Sequence, residues 1–313
     1  MTILRRPPAA TILAVVPRAA VIAVFGPTGV GKTAVAVALA GRLRARGEDP
    51  VAISADALQV YEGLEILTGA AGAAERAQLE HRLVGIVPIT QTFSAGAYAQ
   101  RAHAEIDAAL AGGRTPIVVG GTGLYLRAAL ADLDLRPPVP AGVRARWTGH
   151  APQSLHATLQ RRAPAVAAGI APTDRHRLIR ALELLDAGEP PPPPSRAPSQ
   201  LWTTATRHPT LLAALIMDRD ALAARIDARI DAMLAAGVRQ EVERADAAGA
   251  SHTARAALGF TELLHGDIEA MRTRTRRYAK RQLTWLRKLP GAHLIDVTHR
   301  TPQDAAAELD GMI

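Results

Sequence analysis

At 313 residues with 48% apolar content, the chain carries enough hydrophobic material for one large domain, or for a domain with an insertion. Aromatic residues make up only 3%, so Ala, Val and Leu must fill the core, and the absence of cysteine excludes disulfides, thiolate metal sites and thiol catalysis. A net charge of +8, with Arg far outnumbering Lys, favours a polyanionic partner, nucleic acid first and phosphorylated small molecules second; a GC-rich genome would write part of that excess.

Residues 1–20 read as a disordered N-terminal extension. Arg5 and Arg6 precede an apolar run over 9–16, but Pro17 and Arg18 break it, and cleavage there would leave almost nothing before the first strand. No stretch is long enough to span a membrane, and a cytoplasmic enzyme is expected. Val21-Ile22-Ala23-Val24-Phe25 reads as a buried strand and residues 34–43 as a helix. The turn between them, Gly26-Pro27-Thr28-Gly29-Val30-Gly31-Lys32-Thr33, fits the phosphate-loop pattern of a glycine, four free positions, then Gly-Lys and a hydroxyl residue. Its glycines let successive N–H groups converge on phosphate oxygens at the positive end of a helix. Lys32 adds a mobile charge, and the Thr33 hydroxyl can ligate Mg²⁺. Such a loop means that phosphates bind; it does not say what becomes of them.

Further along, residues 51–55 form a short strand ending at Asp56, and 83–87 make a third strand candidate. Ser94 can cap a helix running to about Leu110. A strand over 116–119 enters the glycine turn Gly120-Gly121-Thr122-Gly123 ahead of another helix, and 211–216 reads as the next strand. This alternation is the pattern of an α/β fold, a P-loop NTPase-like parallel sheet flanked by helices. Ligands in such sheets bind at the carboxyl ends of strands, so 26–33, Asp56 and Thr122 are expected to line one cleft.

Between about 136 and 208 the character changes. Strand-like runs vanish, helical patterns dominate, and the segment holds ten Arg, no Lys and four acidic residues, Asp174, Glu183, Asp186 and Glu189. It closes on the proline run 190–194, an extended loop or linker. The reading is a catalytic core over 21–135 and 209–313, interrupted at 136–208 by an inserted, mostly helical basic subdomain. Residues 218–234 form an amphipathic helix with Arg225 and Arg229 one turn apart, able to clamp phosphate together or to pair with Asp218, Asp227 or Asp231. Pattern alone favours the pairing. Residues 272–288 hold eight basic residues and no acidic one. Arg277, Lys280, Arg281, Thr284 and Lys288 share a polar face, with Tyr278, Trp285 and Leu289 on another, which is the pattern of a basic helix with its aromatics turned to the core.

Phosphoryl-transfer enzymes generally hold Mg²⁺ with a second acid at a strand end. Here the later strand ends in Gly-Gly, and the one carboxylate at a clear strand end is Asp56, open to a role as Mg²⁺ ligand or general base. Several motifs then occur in order: the loop 26–33, Ser54-Ala55-Asp56-Ala57-Leu58-Gln59-Val60-Tyr61, Gly120-Gly121-Thr122-Gly123-Leu124-Tyr125, DRHRLIRALEL from Asp174, DRDALAARIDARIDAML from Asp218 and AKRQLTWLR from Ala279. Together they resemble the tRNA dimethylallyltransferase (isopentenyl-tRNA transferase) family over most of 21–290. The resemblance implies transfer of a dimethylallyl group from its diphosphate to N6 of the adenosine 3′ of the anticodon, position 37, in tRNAs reading codons that begin with U. It implies Asp56 as general base, Thr122 hydrogen-bonding near the bridging oxygen, Arg225 rather than Arg229 on the diphosphate, and Mg²⁺ at Thr33. It also implies tRNA contacts from Asp56, Ala57, Leu58, Gln59, Thr122, Arg144, His176, Arg177, Leu178, Ile179 and Arg180, making the insertion a clamp on the anticodon stem. The implied partners are dimethylallyl diphosphate and the tRNA anticodon stem-loop, bound by a monomer.

The chain departs from the family pattern in places. Ala57 stands for the usual Ser, His176 for Gln and Gly85 for Asp; Ile66-Leu67-Thr68-Gly69-Ala70-Ala71 lacks the usual Gly-Thr-Ala-Lys, and Gly259-Phe260-Thr261 replaces Gly-Tyr-Arg. These bear on substrate affinity and choice of tRNA more than on the reaction. Three other functions compete. A prenyltransferase for free adenine nucleotides needs no long basic insertion. A small-metabolite kinase is disfavoured by the strand ending in Gly-Gly, and an idle RNA-binding module by the presence of Lys32, Asp56 and Thr122 together.

Overall fold

The computed structural model describes residues 19–136, 139, 141–189 and 200–313. Residues 1–18 of the expected extension and the proline run 190–194 lie outside them. Six strands, β1 (Val21–Phe25), β2 (Pro50–Ser54), β3 (His81–Arg82), β4 (Thr115–Gly120), β5 (Thr210–Ile216) and β6 (His293–Asp296), form one sheet in the order β3-β2-β4-β1-β5-β6. Every pairing is parallel. The central strands are continuously apolar because helices cover both faces of the sheet: all five residues of β1 and of β2 are buried. Tyr98, on the helix Ala95–Ala111, stacks on Tyr125 at 4.3 Å and donates its hydroxyl to the Ser54 carbonyl at 3.0 Å, which satisfies its polar end inside the core. Ser94 caps that helix as expected, accepting the Ala97 N–H at 3.1 Å.

Register decides where the strands end. Phe25 lies opposite Gly120 of β4 and Ala214 of β5, and Ser54 of β2 lies opposite Val119. The loops leaving β1, β2 and β4 therefore emerge side by side. Room there is scarce: a Cβ on Gly120 would stand 2.1 Å from the Ala55 carbonyl oxygen.

The third strand differs from expectation. His81 and Arg82 pair with Ala52 and Ile53, and the apolar run 83–87 leaves the sheet, keeping one isolated bridge between Val87 and Tyr61. Leu83 and Gly85 both adopt φ of 60°, a left-handed backbone that ends a strand. The run is apolar because Leu83, Val84 and Val87 are buried, and burial alone does not distinguish a strand from a packed loop. The C-terminal strand β6 completes the sheet edge beside β5, and the helix Pro302–Asp310 packs on the helix Lys32–Ala45.

The basic segment folds as the helices Ala141–Thr148, Pro152–Arg162, Pro164–Ala167 and Arg175–Asp186, packed around a small core of their own that includes Leu155, Leu159, Ala167, Leu178, Ile179 and Leu182. Its return to the sheet is fixed by Arg127, which is buried and donates through Nη2 to the carbonyls of Gln200 and Ala205, both at 2.9 Å. Asp174 caps the helix Arg175–Asp186 through the Arg177 N–H at 3.2 Å.

The crowding at β4 makes a direct prediction. Gly120→Ala forces β2 and β4 apart against backbone rather than a mobile side chain, and should cost roughly 1–3 kcal/mol. Urea unfolding checks it; a midpoint equal to that of the unsubstituted chain would mean that the two turns are not in close contact.

Candidate active site at the carboxyl edge of the sheet

The phosphate loop turns through Gly29 and Gly31, at φ of 84° and 100°, into the helix Lys32–Ala45. Lys32 folds back on its own loop and donates to the carbonyls of Gly26 and Pro27, both at 3.0 Å. The neighbouring helix Arg219–Ala235 lies against the loop so closely that a Cβ on Gly29 would be 3.0 Å from Ile226, and one on Gly31 would be 3.2 Å from the Arg225 guanidinium. Loop and helix together line a cavity of about 370 Å³, bounded also by Asp56, Gln59, Arg229, Tyr278 and Gln282.

Asp56 leaves β2 in a tight turn, its Oδ1 accepting the N–H of Leu58 at 2.9 Å and of Gln59 at 3.4 Å, which leaves Oδ2 for other partners. Across from it the Thr122 hydroxyl accepts the Ala57 N–H at 3.4 Å. Gln59 is held by its own fold, accepting from the Ser54 hydroxyl at 3.0 Å and donating to the Gly69 carbonyl at 3.3 Å.

Lys32, Arg225 and Arg229 line the same cavity as this carboxylate. Arg225 and Arg229 both face the cavity, contrary to the pairing that sequence pattern favours, because Asp227 and Asp231 are engaged instead by Arg272 and Arg276 of the helix Ile268–Leu286. Arg229 donates to the Thr68 carbonyl at 3.1 Å. Burial pulls its guanidinium below its ordinary value, with the Asp56 charge opposing. Burial also lowers the Lys32 ammonium to about 8; Asp56 opposes that shift and Arg229 adds to it.

The helix Ile268–Leu286 closes the site in a way its sequence does not announce. Gln282 is buried, accepting the Thr28 N–H at 2.8 Å and donating to the Gly121 carbonyl at 2.7 Å, so one side chain ties the phosphate loop to the Thr122 turn. A Cβ on Gly121 would meet Gln282 at 2.4 Å, and one on Gly123 would meet the Trp285 ring at 2.2 Å. No acid fits at Gly120 or Gly121, because the space beside each is already filled. Tyr278, expected in the core, lines the cavity instead; burial and then Asp56 raise its phenol, a hydrogen bond with Thr122 opposing.

The sequence model of a family described as IPP transferase matches residues 59–289. The chain belongs to the IPP transferase family. It is 38% identical to the tRNA dimethylallyltransferase of Thermobifida fusca, the match covering 87% of this chain and 88% of that relative, and 42% identical to the tRNA dimethylallyltransferase of Rhodospirillum centenum over 85% and 88%. Among solved structures it is similar to the full-length tRNA isopentenylpyrophosphate transferase of Bacillus halodurans, with 30% identity, a TM-score of 0.67 and coverage of 93% and 94%. It is also similar to a eukaryotic dimethylallyltransferase acting on tRNA, at 25% identity and a TM-score of 0.74 over 93% of this chain and 77% of that one.

Within the IPP transferase sequence pattern, the structure sorts the residues expected to meet tRNA. His176 and Arg177 are exposed on the insertion. The side chains of Leu178 and Ile179 are at most 2% exposed in its small core, where they hold the helix that presents their neighbours. Arg144 and Arg180 flank the buried Glu183 at 3.1 and 3.6 Å. A basic surface absent from that expectation runs along the helix Ile268–Leu286 and beyond it, where Arg277, Lys280, Arg281 and Lys288 are exposed, Arg281 lying over Tyr278 and Lys288 over Trp202. Among the described residues no group of three His, Cys, Asp or Glu could hold a metal, and no helix is long and apolar enough to cross a membrane.

The Lys32 environment sets a pH dependence. The free site holds a charged lysine only below about 8, and a bound polyanion stabilises that charge, so inorganic diphosphate affinity should fall as pH rises through about 8, by up to about tenfold per pH unit. Calorimetry at pH 7 to 9.5 should show proton uptake on binding over the same range. Affinity constant across it, with no proton taken up, would contradict the assignment.

Proposed function

We propose that the protein transfers the dimethylallyl group of dimethylallyl diphosphate to N6 of adenosine 37, on the 3′ side of the anticodon, in tRNAs reading codons that begin with U. The single observation that carries this reading is one cavity lined by the phosphate loop, Arg225, Arg229 and Asp56, at a strand end where a side chain on Gly120 or Gly121 would strike Ala55 or Gln282. In this reading the loop grips a leaving group, not a phosphoryl donor.

The exocyclic amine of adenine is a poor nucleophile because its lone pair is delocalised into the ring. The reaction therefore leans on departure of the diphosphate: the bond from carbon 1 to oxygen breaks, the bond from N6 to carbon 1 forms, and diphosphate leaves. Negative charge grows on the diphosphate oxygens, where loop N–H groups, Lys32, Arg225 and Arg229 act most strongly in a dry site. Thr122 hydrogen-bonds the bridging oxygen, with Tyr278 and Gln282 holding its turn. The N6 proton passes to the Asp56 carboxylate. The apolar part of the cavity, Leu67, Ile230, Met233, Leu258 and Met271, receives the dimethyl end. The oxygens at hand also suit Mg²⁺, which takes most of its ligands from substrate phosphates and water: Thr33 would hold it, and it would neutralise charge on the leaving diphosphate.

The target base must leave the anticodon stack to reach Asp56, past Ala57 and Leu58. Arg144, His176, Arg177 and Arg180 of the insertion, with the exposed cations of the helix Ile268–Leu286, hold phosphates on either side and fix position without reading sequence.

Incubation of carbon-labelled dimethylallyl diphosphate with unmodified tRNA or AMP should place label on tRNA only; label on AMP but not tRNA would sink the reading in favour of a free-nucleotide enzyme. Asp56→Asn should slow transfer by about 10²–10⁴-fold with tRNA affinity retained, and a near-normal rate would remove Asp56 as the base. For the insertion, Arg177→Gln should weaken tRNA binding and reduce its log–log salt slope by about one. An unchanged slope would make this face a lid.

A further inference from the structure

The cavity wall at Leu67–Gly69 belongs to a helix of four residues, Glu65–Thr68. So short a helix does not hold itself, since its first N–H and last C=O groups have no partners within it. Both ends are satisfied from elsewhere in the chain. Behind the wall, Glu241 on the helix Val238–Ala247 is only 4% exposed; its Oε1 accepts the Ile66 N–H at 2.8 Å and its Oε2 the Leu67 N–H at 2.7 Å. On the cavity side, the Thr68 carbonyl accepts Arg229 Nη2 at 3.1 Å and the Gly69 carbonyl accepts Gln59 Nε2 at 3.3 Å. Anion at the helix start and cation at its end is the arrangement that the peptide dipoles favour. The guanidinium lies close against the segment, Nη2 foremost: a Cβ on Gly69 would be 1.8 Å from Arg229 Nη2.

We propose that Glu241 is a positioning residue for the diphosphate site: through the helix Glu65–Thr68 it fixes the carbonyl on which Arg229 rests, and with it the apolar wall residue Leu67. The proposal deepens the function proposed above, and rests on it only in taking diphosphate as the group Arg229 faces. The carboxylate is needed as a carboxylate. It offers two acceptors to two adjacent N–H groups, whereas glutamine offers one acceptor and points an N–H at the other. Burial pushes the Glu241 carboxyl up while the two N–H bonds pull it back.

The test uses the full chain and two readouts, the calorimetric Kd for inorganic diphosphate and the steady-state constants for transfer. Glu241→Gln should weaken inorganic diphosphate about tenfold and raise KM for dimethylallyl diphosphate by a similar factor, with kcat and KM for tRNA within about twofold. Glu241→Asp, which keeps both acceptors one methylene shorter, should recover part of the loss, and it carries the test if the glutamine variant does not fold. On an Arg229→Met background the same change should add less than about twofold, because the two act through one contact. An unchanged diphosphate Kd, a full additive loss beside Arg229→Met, or an equal fall in all constants would overturn the proposal, the last marking a purely structural role. Inorganic diphosphate binding needs no transfer. A chain that fails to prenylate tRNA would therefore sink the function proposed above, while its diphosphate affinity still decides the role of Glu241.

Discussion

Everything at this site depends on the buried amide of Gln282 between the Thr28 N–H and the Gly121 carbonyl. That bridge can exist only because Gly121 has no side chain, and the same crowding keeps Gly120 against Ala55 and Gly123 against Trp285. The glycines after β4 are therefore a packing requirement before they are a catalytic one. They admit the helix Ile268–Leu286 to the sheet edge, and that helix locks the phosphate loop to the turn carrying Thr122. A site that must hold a leaving oxygen and a nucleophile at a fixed separation gains from such rigidity, since preorganised donors lose nothing to reorganisation as charge develops.

The second constraint is electrostatic. Lys32, Arg225 and Arg229 share one cavity with Asp56, and burial already lowers Lys32 and Arg229. Two of these cations rest on backbone, Lys32 on Gly26 and Pro27 and Arg229 on Thr68, and each has further N–H donors. A diphosphate offers them stronger acceptors than carbonyls. Under the proposed function, a gathering of buried positive charge suits a polyanion whose charge must be stabilised further as it leaves.

Much of this was legible in the sequence, and the failures have physical causes. The phosphate loop could be read because its spacing is set by backbone geometry, and Asp56 because it follows a strand that must end at the ligand edge of a parallel sheet. The family motifs were legible as a set, but why KRQ-x-TW belongs with GGTG was not, since the meeting of Gln282 with Gly121 and of Trp285 with Gly123 is purely tertiary. Helical spacing put Tyr278 in the core when it faces the cavity, because one face of that helix serves both. Arg225 and Arg229 read as partners of nearby aspartates until Arg272 and Arg276, from a distant helix, took those aspartates. The run 83–87 read as a strand because its apolar residues are buried, and the positive φ of Leu83 leaves no mark in composition.

The central claim is that the loop holds a leaving group. Dimethylallyl diphosphate carrying oxygen-18 between carbon 1 and phosphorus tests it most directly, with the products of reaction on unmodified tRNA followed by phosphorus NMR. Cleavage between carbon and oxygen leaves all of the heavy isotope in free diphosphate, and that is the expected result. Heavy oxygen recovered in dimethylallyl alcohol, or phosphorus transferred to any acceptor, would show cleavage between phosphorus and oxygen and would contradict the account.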